Sequence, residues 1–314
     1  MPKGVFKLPE IKNEPVKSYA PGSPEREALK DKLAELNKGG LDLPMIIDGK
    51  EVRTNNLKDI RPPHNHKHLL GHYHQGDKSH VQMAIDAALK AKPAWEAMNW
   101  ESRAAIFLKA ADLIAGPYRE KVNAVTMIGQ SKNAYQSEID AVCELVDFYR
   151  YNVKNMHEIY NMQPNSSPGI WNRMVWRPLE GFVFALSPFN FTSIAGNLGG
   201  APALMGNTVV WKASKTAIYS AHLIMEILKE AGLPDGVINL VYVGGREATD
   251  VIFKHINHIR VLLVKPEVRI ILLLTRLPMP NRWQQQLHAV LLNIRVRSAL
   301  QLHVLISLLI YGKM

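Results

Sequence analysis

Runs of apolar residues separated by turn signals divide the first 245 residues into strands and helices. Between residues 44 and 54, apolar positions flank a tight Asp48-Gly49 turn, a pattern that predicts a β-hairpin. Further along, apolar residues spaced three and four apart predict amphipathic helices near 81–95, 106–114 and 138–160. The pattern therefore predicts a hairpin that is followed by a largely helical part.

Residues 181–245 carry the most informative pattern. Continuous apolar runs at 181–187, 208–212 and 237–243 are typical of parallel strands buried on both faces. A small-residue helix ending near Leu204 and a helix at 216–231 lie between these runs. The alternation predicts an α/β protein with a Rossmann-like parallel βαβαβ unit, the half-module of a doubly wound dinucleotide-binding sheet.

The ends of the three predicted strands are at Ser187–Asn190, Lys212–Ser214 and Gly244-Gly245. Ligands of such sheets bind outside the carboxyl ends of the strands. Lys212 offers a cation with three donors for ribose or phosphate oxygens, and Asn190 offers an amide suited to an oxyanion. The pattern alone also allows a solvated lysine and an asparagine that only shapes a turn. The usual Gly-x-Gly-x-x-Gly fingerprint is absent.

Two other groups raise the possibility of metal binding or nucleophilic chemistry. Alternating histidines can bind zinc or nickel, and they occur here at His64, His66, His68, His72 and His74. Pro62-Pro63 and Gly71 favour a solvated loop instead, so no metal site is predicted. Cys143, the single cysteine, has no base or cation beside it in sequence and is predicted to be a packed side chain rather than a nucleophile.

The formal net charge of +10 is unevenly distributed. Residues 251–314 hold nine Lys and Arg against one acid, a net +8, which leaves +2 for residues 1–250. Because the basicity belongs to the C-terminal part and not to the folded body, no nucleic-acid partner is expected. No apolar run reaches eighteen residues without a charge, so no membrane span is expected either.

The C-terminal part also differs in its pattern. No glycine occurs from Arg246 to Tyr311, and the apolar residues follow neither a helical nor a strand period. We interpret 251–314 as an aberrant basic, apolar tail, as a shifted frame or a mis-spliced exon would produce; a pair of C-terminal helices is the alternative. The expected organisation is a helical and hairpin part at 1–165, an incomplete dinucleotide-binding core at 166–250, and this tail.

Several segments between residues 10 and 250 resemble the aldehyde dehydrogenase superfamily. They read Ser-Pro-Phe-Asn-Phe-Thr at 187–192, Gly-Ala-Pro-Ala-Leu-Met-Gly-Asn at 200–207, Val-Val-Trp-Lys at 209–212 and Ala-Gly-Leu-Pro-Asp at 231–235. The sequence of these segments most resembles the 1-pyrroline-5-carboxylate dehydrogenase branch, whose members oxidise L-glutamate γ-semialdehyde to glutamate in proline catabolism. The resemblance implies NAD as cofactor, a small aldehyde substrate, a homodimer and the mitochondrial matrix, although no transit peptide is recognisable before Arg26.

The resemblance also implies roles for residues at the strand ends. Asn190 would be the oxyanion-hole amide, and Lys212 and Ser214 would meet the adenosine ribose and the nearby phosphate. Residues that would line the cofactor are Ser187, Pro188 and Phe189. Lys215 stands where this class usually has an acid, which leaves the preference between NAD and NADP open.

Three expected segments are missing: a Phe-Thr-Gly-Ser turn after the third strand, the Glu-Leu-Gly-Gly segment of the general base, and the Gly-Gln-x-Cys segment of the nucleophile. The resemblance therefore implies a partial fold that is truncated before the catalytic domain and is inactive as it stands. Such a chain is expected to bind NAD weakly, and formation of the family's homodimer is doubtful for it. Three interpretations stay open: a dehydrogenase of proline catabolism, a non-catalytic nucleotide-binding or subunit-pairing module, and the product of a damaged or mis-predicted gene.

Overall fold

The computed structural model describes residues 8–255 and the strand segments 261–264 and 271–272. Its helices are α1 (Pro24–Leu36), α2 (Lys78–Ala97), α3 (Trp100–Ala115), α4 (Arg119–Gln130), α5 (Ala134–Ser137), α6 (Glu144–Asn161), α7 (Thr192–Leu204), α8 (Ile218–Ala231) and α9 (Gly245–Lys254). A π-helical segment, Glu138–Cys143, joins α5 to α6. The strands are β1 (Leu41–Leu43), β2 (Met45–Ile47), β3 (Lys50–Val52), β4 (Leu57–Ile60), β5 (Gly71–His74), β6 (Val183–Leu186), β7 (Val209–Lys212), β8 (Ile238–Val241), β9 (Val261–Val264) and β10 (Ile271–Leu272).

The described strands form two sheets. The larger has the order β10-β9-β6-β7-β8-β2-β3, in which β9, β6, β7 and β8 are parallel. The hairpin β2–β3 adds to the edge of β8 in the antiparallel direction, and β10 pairs antiparallel with β9. The smaller sheet has the order β1-β5-β4. The predicted α/β class, the hairpin and the parallel βαβαβ unit of β6, α7, β7, α8 and β8 are confirmed.

The core strands are buried as their continuous apolar runs predict. Every residue of β8 is buried, and so are the first three residues of β6 and of β7. Helix α2 packs on β7 and β8, while α7 packs on β6 and β7. Strands covered in this way have no solvent-facing side, so the alternating polar pattern of a half-exposed strand is absent from them.

The fold continues past the predicted boundary at residue 250. Helix α9 runs on to Lys254, and its Ala248 and Ile252, four positions apart, are both buried. Strand β9 then pairs in parallel with β6. Helix α9 and strand β9 therefore extend into the segment that the sequence analysis assigned to the tail. The rest of the predicted tail lies outside the described residues, and the division into three parts remains a prediction.

The predicted single helix over 138–160 is interrupted in its first turns. Glu138–Cys143 is π-helical, and only from Glu144 does the helix become regular. A π turn brings residues five apart onto the same side of the helix. Here it places the Cys143 sulfur 3.7 Å from a carboxylate oxygen of Glu138. The wider turn was not predictable, because the apolar spacing of the segment fits an α-helix equally well.

A buried ion-pair cluster accounts for the position of Glu138. Arg119 pairs with Glu138 through its Nε, at 3.1 Å, and with Glu14 through its Nη1, at 2.5 Å. Glu138 also accepts hydrogen bonds from the Lys17 amide at 2.9 Å and from the Tyr19 hydroxyl at 2.8 Å. The cluster ties the N-terminal segment 13–19 to the helical part of the molecule.

The histidine run is divided between a loop and a strand. Residues up to Leu70 form the predicted loop, but His72 and His74 lie in β5. The His74 ring is buried, with Nε2 2.8 Å from Asp42 Oδ1 and Nδ1 accepting from the Thr54 amide at 2.8 Å. Within residues 8–255, no group of three or more His, Cys, Asp or Glu side chains is placed to hold a metal. No helix in the described part is long and apolar enough to cross a membrane.

Candidate functional site

The carboxyl ends of the parallel strands lie level with one another along one edge of the sheet. Leu186 of β6 is opposite both Lys212 of β7 and Val264 of β9, and Lys212 is opposite Val241 of β8. The chain passes from β6 through β7 to β8, then returns through α9 to β9 on the other side of β6. This reversal beside β6 is where open parallel sheets bind their ligands. Lys212 is the last residue of β7, and the other predicted site residues follow β6 or β7.

The loop after β6 is anchored to the sheet by Ser187. Its amide donates to the Lys212 carbonyl at 3.2 Å, and its buried hydroxyl accepts from the Trp211 indole at 3.0 Å. Beyond this anchor, Phe189 is 53% exposed, and Pro188 and Asn190 are half-buried. The Asn190 amide makes no hydrogen bond to another described residue. It is therefore a donor available to a ligand in the crevice.

Side chains from distant helices support this loop from behind. The Lys132 ammonium lies 4.0 Å from the centre of the Phe191 ring and 2.7 Å from a carboxylate oxygen of Asp140. Thr192, at the start of α7, accepts a hydrogen bond from Gln130 at 2.8 Å. These residues hold the backbone on which Asn190 sits. These contacts were not predictable from the sequence, because no local pattern connects positions about 60 residues apart.

The end of β7 presents a short polar turn. Lys212 is followed by a turn in which the Ala217 amide donates to the Ser214 carbonyl at 2.9 Å. The Ser214 hydroxyl is 3.3 Å from that of Thr216. Burial lowers the pKa of the Lys212 ammonium, and the neighbouring Lys215 cation lowers it further. Neither lysine forms an ion pair with a described residue, so the turn is a positively charged surface without a counter-ion.

The end of β8 is less open to an anion. Helix α9 begins there, directly after Gly244, and the Glu247 carboxylate of its first turn accepts from the Gly244 amide at 3.1 Å. A carboxylate at a helix start neutralises the positive end of the helix. The ends of β6 and β7 are therefore the part of the edge that suits a nucleotide.

The single cysteine lies away from this edge, inside the Arg119 cluster. Its thiol is 3.6 Å from an Arg119 nitrogen, although no cation is near it in sequence. Burial raises the pKa of Cys143 to about 12, and the Glu138 carboxylate adds to that effect. The thiol is consequently neutral at physiological pH and is enclosed by protein, as predicted for a packed side chain.

Known proteins match the part of the chain that contains this sheet. The sequence profile described as Aldehyde dehydrogenase family matches residues 50–264. The delta-1-pyrroline-5-carboxylate dehydrogenase of Agaricus bisporus is 54% identical over 244 residues, which cover 77% of this chain and 44% of that protein. The mitochondrial enzyme of the same name from Homo sapiens is 47% identical over 237 residues, 75% of this chain and 42% of that protein. The chain spans less than half the length of these curated relatives.

Solved structures of proteins with the same name are also similar to this chain. The delta-pyrroline-5-carboxylate dehydrogenase of Mycobacterium tuberculosis bound with NAD superposes with a TM-score of 0.77 at 52% identity, covering 79% of this chain and 46% of that one. The 1-pyrroline-5-carboxylate dehydrogenase from Thermus with bound NAD gives a TM-score of 0.73 at 26% identity, covering 80% and 48%. In both, the matched part is less than half of the solved chain.

Proposed function

The chain belongs to the aldehyde dehydrogenase family, and from that premise we propose that it contains the dinucleotide-binding part of a 1-pyrroline-5-carboxylate dehydrogenase. The reaction of such an enzyme is the NAD-dependent oxidation of L-glutamate γ-semialdehyde to glutamate. One observation carries the proposal: the level ends of four parallel strands, with the Asn190 loop beside the reversal in strand order.

NAD would lie along the ends of β6 and β7. The ammonium of Lys212 and the hydroxyl of Ser214, at the end of β7, would bind the adenosine ribose and the adjacent phosphate. The loop formed by Ser187, Pro188 and Phe189 would line the crevice, with the buried Ser187 hydroxyl contributing rigidity through Trp211. When bound, the cofactor supplies the hydride acceptor. The protein's part is to bind it and orient it toward the aldehyde.

Asn190 would act on the substrate and not on the cofactor. Attack of a thiolate on an aldehyde builds negative charge on the carbonyl oxygen, and a fixed amide N–H stabilises that charge. Lys132, Gln130 and Ser187 support the backbone on either side of Asn190, and this support would help to hold the amide in position for that role. An amide held in place beforehand needs no reorganisation when the charge develops.

We propose that residues 1–314 alone do not complete the oxidation. The reaction needs a thiolate within reach of the carbonyl, and the single cysteine is a neutral, enclosed thiol in the Arg119 cluster. In its relatives more than half of the chain lies outside the matched region. The nucleophile and the general base would have to come from residues that this sequence does not contain.

A second candidate is a non-catalytic subunit-pairing module, favoured by an exposed apolar segment before β6. Trp171 is 83% exposed and Val175 is 71% exposed, and Ile170 beside them is also open to solvent. Large apolar side chains exposed together mark association surfaces.

Because several relatives are mitochondrial, we also propose the mitochondrial matrix as the location of this protein.

The test of the main proposal is NAD+ binding by the full chain, measured by isothermal titration calorimetry. We expect NAD+ to bind, and Lys212→Met to weaken binding about tenfold, because the variant removes a charged contact to the nucleotide. Asn190→Ala should leave NAD+ affinity unchanged, since its amide serves the substrate. Lys67→Met, in an exposed loop, is the control for loss of charge alone. Absence of NAD+ binding at millimolar concentration would refute the dinucleotide site.

A further inference from the structure

The last residue of α4, Gln130, contacts the starts of two helices that follow the strand ends. Its side-chain Nε2 donates to the Thr192 hydroxyl at 2.8 Å and to the Ser220 hydroxyl at 3.2 Å. Thr192 is the first residue of α7 and comes directly after the Asn190 loop, whereas Ser220 is in the first turn of α8, which follows the polar turn after β7. One amide group therefore joins the two segments between which NAD would lie.

The other contact of the Ser220 hydroxyl decides the direction of this bridge. The hydroxyl donates its one proton to the Ala217 carbonyl at 3.1 Å, so its oxygen can only accept from a further partner. That partner has to be a donor, and the glutamine amide supplies two N–H groups, one for each hydroxyl. The amide oxygen Oε1 is enclosed and accepts no hydrogen bond from the described residues. Its two donor contacts therefore fix the orientation of the Gln130 amide.

The bridge is built on a helix end that is itself held in place. Ser131, the residue that ends α4, has a left-handed φ of +57°, and its hydroxyl lies 2.8 Å from His64 Nδ1. Helix α4 packs on α8, and Thr126, one turn earlier in α4, is 2.9 Å from the Thr192 hydroxyl. Since Thr192 and Ser220 are both buried, water competes little for these hydrogen bonds.

A second link joins the same two segments at the strand ends. The Ser187 amide donates to the Lys212 carbonyl at 3.2 Å, and the Ser187 hydroxyl accepts from the Trp211 indole. The segments are thus joined where they leave β6 and β7, and joined again through Gln130 where they enter α7 and α8. Their separation is set before any ligand arrives, and a site arranged beforehand loses less free energy to the ordering of its loops on binding.

We propose that Gln130 is a positioning residue of the dinucleotide site, which sets the separation of the Asn190 loop and the turn after β7 without touching the ligand. This inference rests on the dinucleotide site proposed above and adds to it a residue outside the crevice. Without the bridge both segments keep their ligand-binding groups but can move apart, so NAD+ has to order them when it binds. The affinity falls although every residue that contacts the ligand is retained.

The experiment is a double-mutant cycle on NAD+ affinity, measured by isothermal titration calorimetry of the full chain. Gln130→Met removes the donors and keeps the length of the side chain, and Ser220→Ala removes one of the two acceptors. We expect each variant to weaken NAD+ binding, Gln130→Met by about fivefold, a loss typical of one hydrogen bond. Because Ser220→Ala acts through Gln130, the double variant should bind no more weakly than Gln130→Met alone.

Hydrogen exchange of the ligand-free chain, followed by mass spectrometry, locates the change. Gln130→Met should accelerate exchange in residues 187–192 and 214–220 together, because both segments lose the same anchor. The matched control is Gln163→Met in the segment before β6, where the amide also joins two backbone groups, the carbonyls of Tyr160 and Met174. That variant should retain the wild-type NAD+ affinity and the wild-type exchange in both segments.

Gly71→Ala is the control for a general loss of stability, because the Cβ that it adds would meet the β1 backbone in the smaller sheet. It should leave NAD+ affinity unchanged. An equal loss of affinity in Gly71→Ala and Gln130→Met would overturn the positioning role, and so would wild-type affinity in Gln130→Met or additive losses in the double variant. Each of these results leaves the dinucleotide site standing. If the wild type binds no NAD+ at millimolar concentration, both proposals fall.

Discussion

At the scale of single residues, Glu138 is a carboxylic acid held in the interior of the protein. Its carboxylate is fully buried, and it pairs with Arg119 inside the helical part of the molecule. Burial raises the pKa of Glu138, but hydrogen bonds from Arg119, the Lys17 amide and Asn123 outweigh it, so the net pKa lies below its usual value. Removing one member of a buried ion pair leaves the other charge without a partner, which costs more than the pair itself contributes.

We predict that Glu138→Gln lowers the free energy of unfolding at pH 7 by about 3–5 kcal/mol. Because the folded-state pKa is depressed, the carboxylate stabilises the wild type above the unfolded-state pKa of about 4.5. That contribution is lost as the pH falls from there through the folded-state pKa. Urea unfolding at pH 7 and pH 3 should therefore show a smaller loss of stability on acidification in Glu138→Gln than in the wild type.

The control is Glu158→Gln, an exposed carboxylate whose distance to Lys154 is 3.8 Å. Exposed pairs contribute little, so its unfolding curve should match that of the wild type at both pH values. An identical acid response in Glu138→Gln and the wild type would show that Glu138 carries no part of the pH dependence.

Among the elements, β5 depends on a glycine. Gly71 is paired with Leu41 of β1, and its φ of +148° is one that other residues rarely adopt. A Cβ at this position would lie 2.1 Å from the Leu41 carbonyl oxygen. It would also lie 2.5 Å from the Leu41 amide nitrogen, and neither backbone group can move without breaking the β1–β5 pairing.

We predict that Gly71→Ala destabilises the protein by about 3 kcal/mol, from backbone strain and the steric conflict together. Thermal unfolding followed by circular dichroism would measure the shift in Tm. Gly129→Ala in α4 is the matched control, because a Cβ there meets nothing within 4 Å. That change should instead stabilise the helix by about 1 kcal/mol. Equal Tm values for the two variants would contradict the account of β5.

The elements of residues 181–245 were predictable because each is defined by its own local pattern. Buried strands read as apolar runs, and helices end at glycine or proline, as α8 does at Gly232. The neighbours of these strands were not predictable: the pairings of β2 with β8 and of β9 with β6 join segments with no shared local signal. The residues of the candidate site also fall into a predictable and an unpredictable group. Asn190 and Lys212 lie at the ends of predicted strands, whereas Lys132 contacts the loop only through tertiary packing.

For the molecule as a whole, β9 decides whether the sheet has a protected edge beside the crevice. It pairs with β6 over four residues, from Val183 opposite Val261 to Leu186 opposite Val264. Without it, β6 would present unpaired amides and carbonyls next to the apolar side chains Val183, Phe184 and Ala185. Apolar edge strands of this kind pair with other chains.

We predict that a chain ending at residue 255 self-associates, whereas a chain ending at residue 272 retains β9 and does so less. Size-exclusion chromatography with light scattering would report the mass of each over a range of concentrations. Adding Leu186→Lys, at the one residue of β6 that is not fully buried, to the shorter chain should reduce association if the β6 edge is responsible, since charge on an edge strand opposes pairing. Equal masses for both chains at all concentrations would exclude the β6 edge as the cause.

The hairpin at the opposite edge has a consequence for biosynthesis. The Asp48 amide donates to the Asn239 side chain at 2.9 Å across 191 positions of sequence. At a ribosomal rate of roughly 5–20 residues per second, the hairpin emerges about 10–40 s before the strand that it joins. Its apolar β2 must wait in an incomplete nascent chain throughout that interval. We therefore expect β2 to remain an exposed apolar segment of the nascent chain, of the kind that chaperones bind, until β8 has been synthesised.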